Sequence, residues 1–227
     1  MFQTTAALTP RANAPAKPGQ PPVVRTYPIS TGKMDWKTPL GVTRIVSKQE
    51  KPNWYPPPTV IAEHEAKGDP LPKVVPPGPD NPLGEHAMRL ALPGGAYLIH
   101  GTNRPAGVGM QVTHGCIRLF PEDIAELYGF VPVNTKVNLV DQPSKLGWLR
   151  GTLYIERHPL LEGGADPGPD ELQLLKERVA TAAEPRPVDV DWDGVEHAFA
   201  TQSGVPAPVS APKEKRRGVT AASSINR

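Results

Sequence analysis

Proline limits what this chain can fold into more than any other residue. Thirty of its 227 residues are proline and 21 are glycine, together more than a fifth of the sequence. An internal proline removes a main-chain donor and breaks a helix, so long helices are disfavoured and strands, turns and extended connections are favoured. The prolines are not gathered in one tail. They punctuate the stretch Pro52 to Pro82, so low complexity does not account for them, and the length allows one medium domain with appendages.

Short β-branched and apolar runs separated by turn signals predict a mostly β fold, a β-sandwich-like or barrel arrangement. The runs are Val23 to Ser30, closed by a Thr31-Gly32 turn; Gly41 to Ser47; Ala96 to His100, delivered by the turn Pro93-Gly94-Gly95; Lys136 to Val140; and Gly151 to Glu156. One short helix follows the single cysteine. Pro121 suits its first position, Glu122 and Asp123 suit its positive end, Ile124, Leu127 and Tyr128 share a face, and Gly129 is the expected stop. A second helix is expected from Asp170, as cap, to Ala183, with Leu172, Leu175 and Val179 as its stripe; a shorter amphipathic turn lies within Val188 to Ala200. The organisation read from this is an arm or linker over 1–22, a principal domain over 23–160, a small helical appendage over 161–210 and a flexible basic tail over 211–227.

Charge adds little. A net charge of +2 with mixed signs leaves no nucleic-acid footprint, and the one dense basic run, Lys213 to Arg217, reads as a solvated tail. No run approaches the roughly 18 apolar residues of a membrane span. The first residues lack the basic and apolar regions of a signal peptide.

With one cysteine there is no intrachain disulfide. Cys116 lies in Val112-Thr113-His114-Gly115-Cys116-Ile117-Arg118-Leu119, downstream of His100-Gly101-Thr102. A thiol attacks well only as thiolate, so the expectation is an ionised sulfur beside a base or a positive charge. In an extended segment His114, Cys116 and Arg118 would share one face. Gly115 would let the backbone approach a substrate, and its amide with that of Cys116 would suit an oxyanion. His100 ends a strand before Gly101, so its ring would project from a sheet edge. From these residues alone three readings stand: a cysteine nucleophile, a structural cysteine with unrelated histidines, and a His/Cys metal site built on His100, His114 and Cys116.

The two motifs together resemble the signature of the YkuD-type L,D-transpeptidase catalytic domain, of the periplasmic ErfK/YbiS/YcfS/YnhG-like group. The resemblance extends to Tyr27 to Gly32, Trp36 to Gly41, Pro76 to Gly84 and Asn103 to Gly109, and covers about Lys17 to Pro159. It implies that Cys116 attacks the carbonyl between meso-diaminopimelate and D-alanine of a peptidoglycan stem tetrapeptide, releasing D-alanine and leaving a thioester. An amine then resolves the acyl-enzyme, either a second diaminopimelate (a 3→3 cross-link) or a lysine of an outer-membrane lipoprotein; water instead gives carboxypeptidase activity. It further implies His100 as the proton donor and acceptor and His114 as the second motif histidine. Thr113, Gly115, Arg118 and Gly101 fall at substrate or oxyanion positions. No cofactor and no metal are implied, and the location implied is the periplasm.

The resemblance has departures. Met1 to Ala16 does not supply the aromatic first strand usual in the family, and neither a signal sequence nor a peptidoglycan-binding module is visible, so a truncated or misassigned start is expected. An exposed sheet edge would follow, with a truncated, inactive wall-binding homologue as one alternative. A hydrolytic cysteine peptidase of the NlpC/P60 type fits poorly, because both histidines precede Cys116. His64, His86, His158 and His197 read as loop residues, exposed or structural. Trp36, Trp54, Tyr55 and Tyr97 read first as packing and second as groove lining, and Asn53 to Pro58 as a cleft wall or lid.

Overall fold

The computed structural model describes residues 25–94, 96–161 and 168–212. Two compact units divide the chain, Met1–Gln142 with Leu160–Gly164 and Pro143–Pro159 with Ala165–Arg227. The arm over 1–22, Val23, Val24, Gly95 and residues 213–227 of the basic tail lie outside the described residues.

The first unit runs β1 (Thr31–Gly32), β2 (Gly41–Glu50), α1 (Pro58–Ala66), β3 (His86–Leu90), β4 (Leu98–His100), β5 (Gln111–Thr113), β6 (Ile117–Arg118), α2 (Pro121–Phe130) and β7 (Lys136–Leu139). Its main sheet has five strands in the order β6-β4-β3-β2-β7. All pairs are antiparallel except β4 with β6, where Ile99 lies opposite Ile117 and His100 opposite Arg118. A parallel pair needs a long crossover, and residues 101–116 between these strands hold the candidate site. Ile45, Met88, Ile99, Ile117, Val137 and Leu139 face a core closed by Ile124 and Leu127 of α2. Each such side chain contributes about 1.5–3 kcal/mol over leaving it in water.

Differences from the sequence reading have local causes. The strand expected through Ser30 is displaced: Thr31–Gly32 is itself a strand, paired with β5, not a turn. Pro28 has no N–H for a ladder. The groups that follow it are taken by the cysteine segment: Ser30 N–H donates to Arg118 O at 2.8 Å, Arg118 N–H returns to Ser30 O at 3.0 Å, and Lys33 N–H donates to Thr113 O at 3.0 Å. Gly129 does not stop α2, which continues to Phe130. A glycine costs a helix only about 1 kcal/mol, whereas Pro132 bars the residue before it from continuing. Helix α1 was not foreseen, since only Val60 is buried on it and no apolar stripe exists to be read. β3 was missed as well, because Ala87 and Met88 are both buried and blur the alternation.

The second unit holds β8 (Ser144–Leu149), β9 (Thr152–Arg157), α3 (Glu171–Ala183), β10 (Val188–Val190), α4 (Trp192–Thr201), β11 (Ala207–Pro208) and β12 (Ser210–Pro212). Leu153, Ile155, Leu175, Val179, Val195, Ala198 and Val209 form its own core. The hairpin β8–β9, grouped by the sequence reading with the principal domain, thus gives its buried face to α3 and α4. The appendage is accordingly mixed sheet and helix. Leu172 is only half-buried, Asp170 flanks α3 without a side-chain capping bond, and the expected turn at 188–200 is a strand followed by a helix. Asp191 caps that helix, its Oδ1 accepting from Gly194 N–H at 3.0 Å. Of the four histidines read as loop residues, three lie in elements, His64 in α1, His86 in β3 against Tyr128 and His197 in α4, while His158 follows β9 outside any element, buried beside Glu156.

Candidate active site

Cys116 is half-buried, one residue before β6. Because Ile117 points into the core, alternation sends Cys116 and Arg118 to the opposite face of the sheet. His100 lies opposite Arg118 on β4 and therefore shares that face as a diagonal neighbour of Cys116. The two motifs, 16 residues apart at His100 and Cys116, are brought together by this parallel pairing.

The segment from Thr113 to Cys116 is a turn, not the continuous strand expected. β5 and β6 belong to different sheets, and Gly115 between them has φ +94°. A β-carbon at Gly115 would meet the Tyr97 ring at 2.8 Å, so both backbone conformation and space require glycine. His114 is consequently not carried on a common strand face with Cys116. Two threonines hold the turn: Thr113 Oγ1 donates to Cys116 O at 2.6 Å, and Thr38 Oγ1 donates to Gly115 O at 3.0 Å while accepting from Gly32 N–H at 3.1 Å.

These contacts redistribute the expected substrate positions. Thr113 is buried with its hydroxyl committed to the turn. Gly101 donates its N–H to His86 O at 3.1 Å, and a β-carbon there would press on Ile124 at 3.0 Å, so it packs against α2 and has no amide to offer an oxyanion. Among the described residues the N–H groups of Gly115 and Cys116 donate to no main-chain carbonyl.

Electrostatics favour the neutral forms of His100 and Cys116. His100 is 4% exposed, and its Nδ1 is buried without a hydrogen-bond partner. Burial, helped by the positive charge of Arg118 and opposed by main-chain groups of Gly101 and Leu83, brings its pKa down to about 4. Burial also pushes the Cys116 thiol up, against the Leu98 main chain and Arg118. Burial thus disfavours the ionised sulfur expected from sequence and the charged imidazole alike, because desolvation outweighs the nearby cation at the thiol. The thiol is directed at Ala96 O, 3.7 Å away.

Arg118 is half-buried, its Nε has no partner, and no carboxylate among the described residues pairs with it. Burial and then the charge of Arg104 lower its pKa. A guanidinium so placed has its strongest partner in a carboxylate brought by a ligand.

The sequence reading missed Glu63. Carried by α1, its Oε1 lies 3.0 Å from His114 Nε2, and Lys33 Nζ is 3.4 Å from the same oxygen. The hydrogen bond from His114 is the largest influence holding this carboxyl below its ordinary value. The His114 ring also lies 5.6 Å from Trp36 at 49°. No local signal links residue 63 to residue 114; only folding does. Of the other aromatics, Tyr97 backs Gly115, Trp54 pairs its main chain with Val75, and Tyr55 is exposed. Among the described residues no three His, Cys, Asp or Glu side chains are grouped to hold a metal ion, so His100, His114 and Cys116 do not converge as ligands. No described helix is long and apolar enough to cross a membrane.

Comparison with known proteins converges on one family. The YkuD family model, the L,D-transpeptidase catalytic domain, matches residues 16–139. The probable L,D-transpeptidase YcfS of Escherichia coli K12 is 39% identical over 191 residues, covering 82% of this chain and 59% of its own length. The probable L,D-transpeptidase YbiS of the same strain is 40% identical over 189 residues, covering 81% of this chain and 60% of its own. This chain thus spans about 60% of the length of these curated relatives. A solved L,D-transpeptidase from Mycobacterium smegmatis aligns over 52% of this chain and 49% of that one, at 26% identity and a TM-score of 0.37, a partial likeness only.

Proposed function

Because the chain belongs to the YkuD family of L,D-transpeptidase catalytic domains, we propose that it is a peptidoglycan acyltransferase whose nucleophile is Cys116. The observation that carries this reading is the buried, unpartnered Nδ1 of a neutral His100 on the same sheet face as a half-buried thiol. An orphan buried imidazole nitrogen costs the resting fold free energy, and a catalytic role is one reason for such a group to be kept.

The donor is a stem tetrapeptide ending in meso-diaminopimelate and D-alanine, with a carboxylate of the peptide against Arg118. A turn of the Cys116 side chain moves its S–H from Ala96 O to His100 Nδ1. The imidazole accepts the proton as sulfur attacks the diaminopimelate carbonyl, and the amides of Gly115 and Cys116 receive the developing oxyanion. The imidazolium then protonates the leaving amine, D-alanine departs, and a thioester remains. An acceptor amine attacks that thioester, forms the new amide and returns the thiol. A second diaminopimelate as acceptor gives a 3→3 cross-link, and a lipoprotein lysine gives an anchor; the location that goes with this reading is the periplasm.

A neutral pair requires proton transfer during attack, so His100 acts as general base and not as the partner of a preformed ion pair. Intact-mass analysis with a diaminopimelate tetrapeptide tests the reading: the expected adduct is the tripeptide acyl group on Cys116, with loss of D-alanine. Folded protein that forms no adduct would favour an inert wall-binding role, and release of tripeptide despite abundant amine would identify a carboxypeptidase.

A further inference from the structure

The reaction has two halves, and the role of His100 in acylation leaves the base for the acceptor amine unassigned. The two motif histidines occupy unlike surroundings. His100 is buried on β4. His114 is partly exposed, its side chain at 27%, with Nε2 against Glu63 and its ring beside Trp36, itself 37% exposed. No partner is found for His114 Nδ1 among the described residues.

We infer that Glu63, Trp36 and His114 form the seat of the acceptor ammonium, with Glu63 as a positioning residue that orients His114 to take the acceptor's proton. The inference rests on the transpeptidase reading and assigns its second half-reaction. A primary amine arrives as an ammonium, which cannot attack until it loses a proton. Glu63 supplies the countercharge, and the face of Trp36 attracts a cation. The spot already accommodates one, since the Lys33 ammonium rests 3.4 Å from Glu63 Oε1. A carboxylate accepting from Nε2–H fixes the tautomer in which Nδ1 carries the lone pair. His114 is thereby set as an acceptor beside the nucleophile's own turn.

The protons balance. R–NH3+ gives one proton to His114 Nδ1, and the free amine attacks the thioester carbonyl. As the C–S bond breaks, the second N–H proton passes through His100 to the Cys116 sulfur. The products are the amide, the thiol and His114 carrying one proton, which it releases to water. Acylation does not need this route, because there His100 takes the proton of the thiol and hands it to D-alanine.

The test separates the halves using the full chain. Cys116 is first acylated by tetrapeptide, and the rate of mass gain is recorded for wild type, Glu63→Gln and His114→Gln. Transfer is then followed with Nα-acetyl-lysine as ammonium acceptor and with hydroxylamine, which is already uncharged at neutral pH. Glu63→Gln, close in shape to glutamate, is expected to slow transfer to the lysine derivative at least about tenfold more than it slows acylation. His114→Gln should slow it about a hundredfold more. Transfer to hydroxylamine should fall in both variants no more than acylation does, since that acceptor needs no deprotonation before attack.

Equal slowing of both acceptors would overturn the inference and leave Glu63 as a fastening of α1. Unchanged lysine transfer would overturn it as well. If Glu63→Gln loses thermal stability, the ratio of the two acceptors within that variant still decides, because a misfolded site loses both. Wild-type protein that never acylates would instead refute the transpeptidase reading on which the inference stands.

Discussion

His100 is held in an environment that penalises its charged form, and the consequences are measurable in both stability and rate. Its folded pKa, about 4, lies below the ordinary 6.5. The unfolded chain therefore takes up a proton at higher pH than the folded one. Stability from this group is complete above 6.5 and is lost as pH falls toward 4, by on the order of 3 kcal/mol. Denaturant unfolding at neutral and at acid pH should show this loss in wild type and less of it in His100→Gln; an identical loss in both would refute the assignment. The acylation rate should likewise keep an acid limb near 4, not near 6.5. Arg118→Met removes a cation that lowers both neighbours, so it should move the acid limb upward and raise the thiol pKa further. A pH–rate profile with carbapenem, which acylates a reactive thiol, reads both. Cys116→Ala should form no adduct while keeping the fold.

At the scale of elements, the site depends on a turn clamped between two sheets. Thr38 ties Gly115 to Gly32, and Thr113 ties the turn to itself. Thr38→Val removes a donor and an acceptor and should cost about 1–3 kcal/mol. Its effect on acylation should be larger than its effect on stability suggests, since small displacements of a nucleophile cost rate steeply. Gly115→Ala is harsher: the left-handed backbone and the Tyr97 ring both oppose a β-carbon, and at least about a hundredfold loss of acylation is expected. Rates near wild type in Gly115→Ala would show that the turn tolerates rearrangement. Helix α1, nearly without an apolar stripe, buries only Val60 and carries Glu63 to His114.

At the scale of the whole molecule, each of the two units has its own core. In the second, Arg157 is almost wholly buried and makes a bidentate pair with Glu171, at 2.6 and 2.8 Å, while also donating to Ser144 Oγ at 2.8 Å. Removing one partner strands a buried charge, so Glu171→Ala should destabilise this unit by about 3–5 kcal/mol. Differential scanning calorimetry should show the loss; a transition unmoved by the substitution would mean that water replaces the carboxylate.

What was legible in the sequence was local: proline and glycine spacing excluded long helices, β-branched runs marked β2, β4, β7 and β9, and Pro121 with its acidic first turn marked α2. The motif residues Cys116, His100 and His114 were also visible, since spacing and residue type survive in one dimension. Tertiary structure alone decided how they are used. Parallel pairing of β4 with β6 brings His100 to the sulfur's face, burial turns an expected thiolate into a thiol, and Gly101 and Thr113 are spent on packing and turn closure. Glu63 reaches His114 only because a helix with no sequence stripe folds over the turn. Desolvation, register and contacts between residues 51 positions apart are properties of the packed chain, and no window along the sequence contains them.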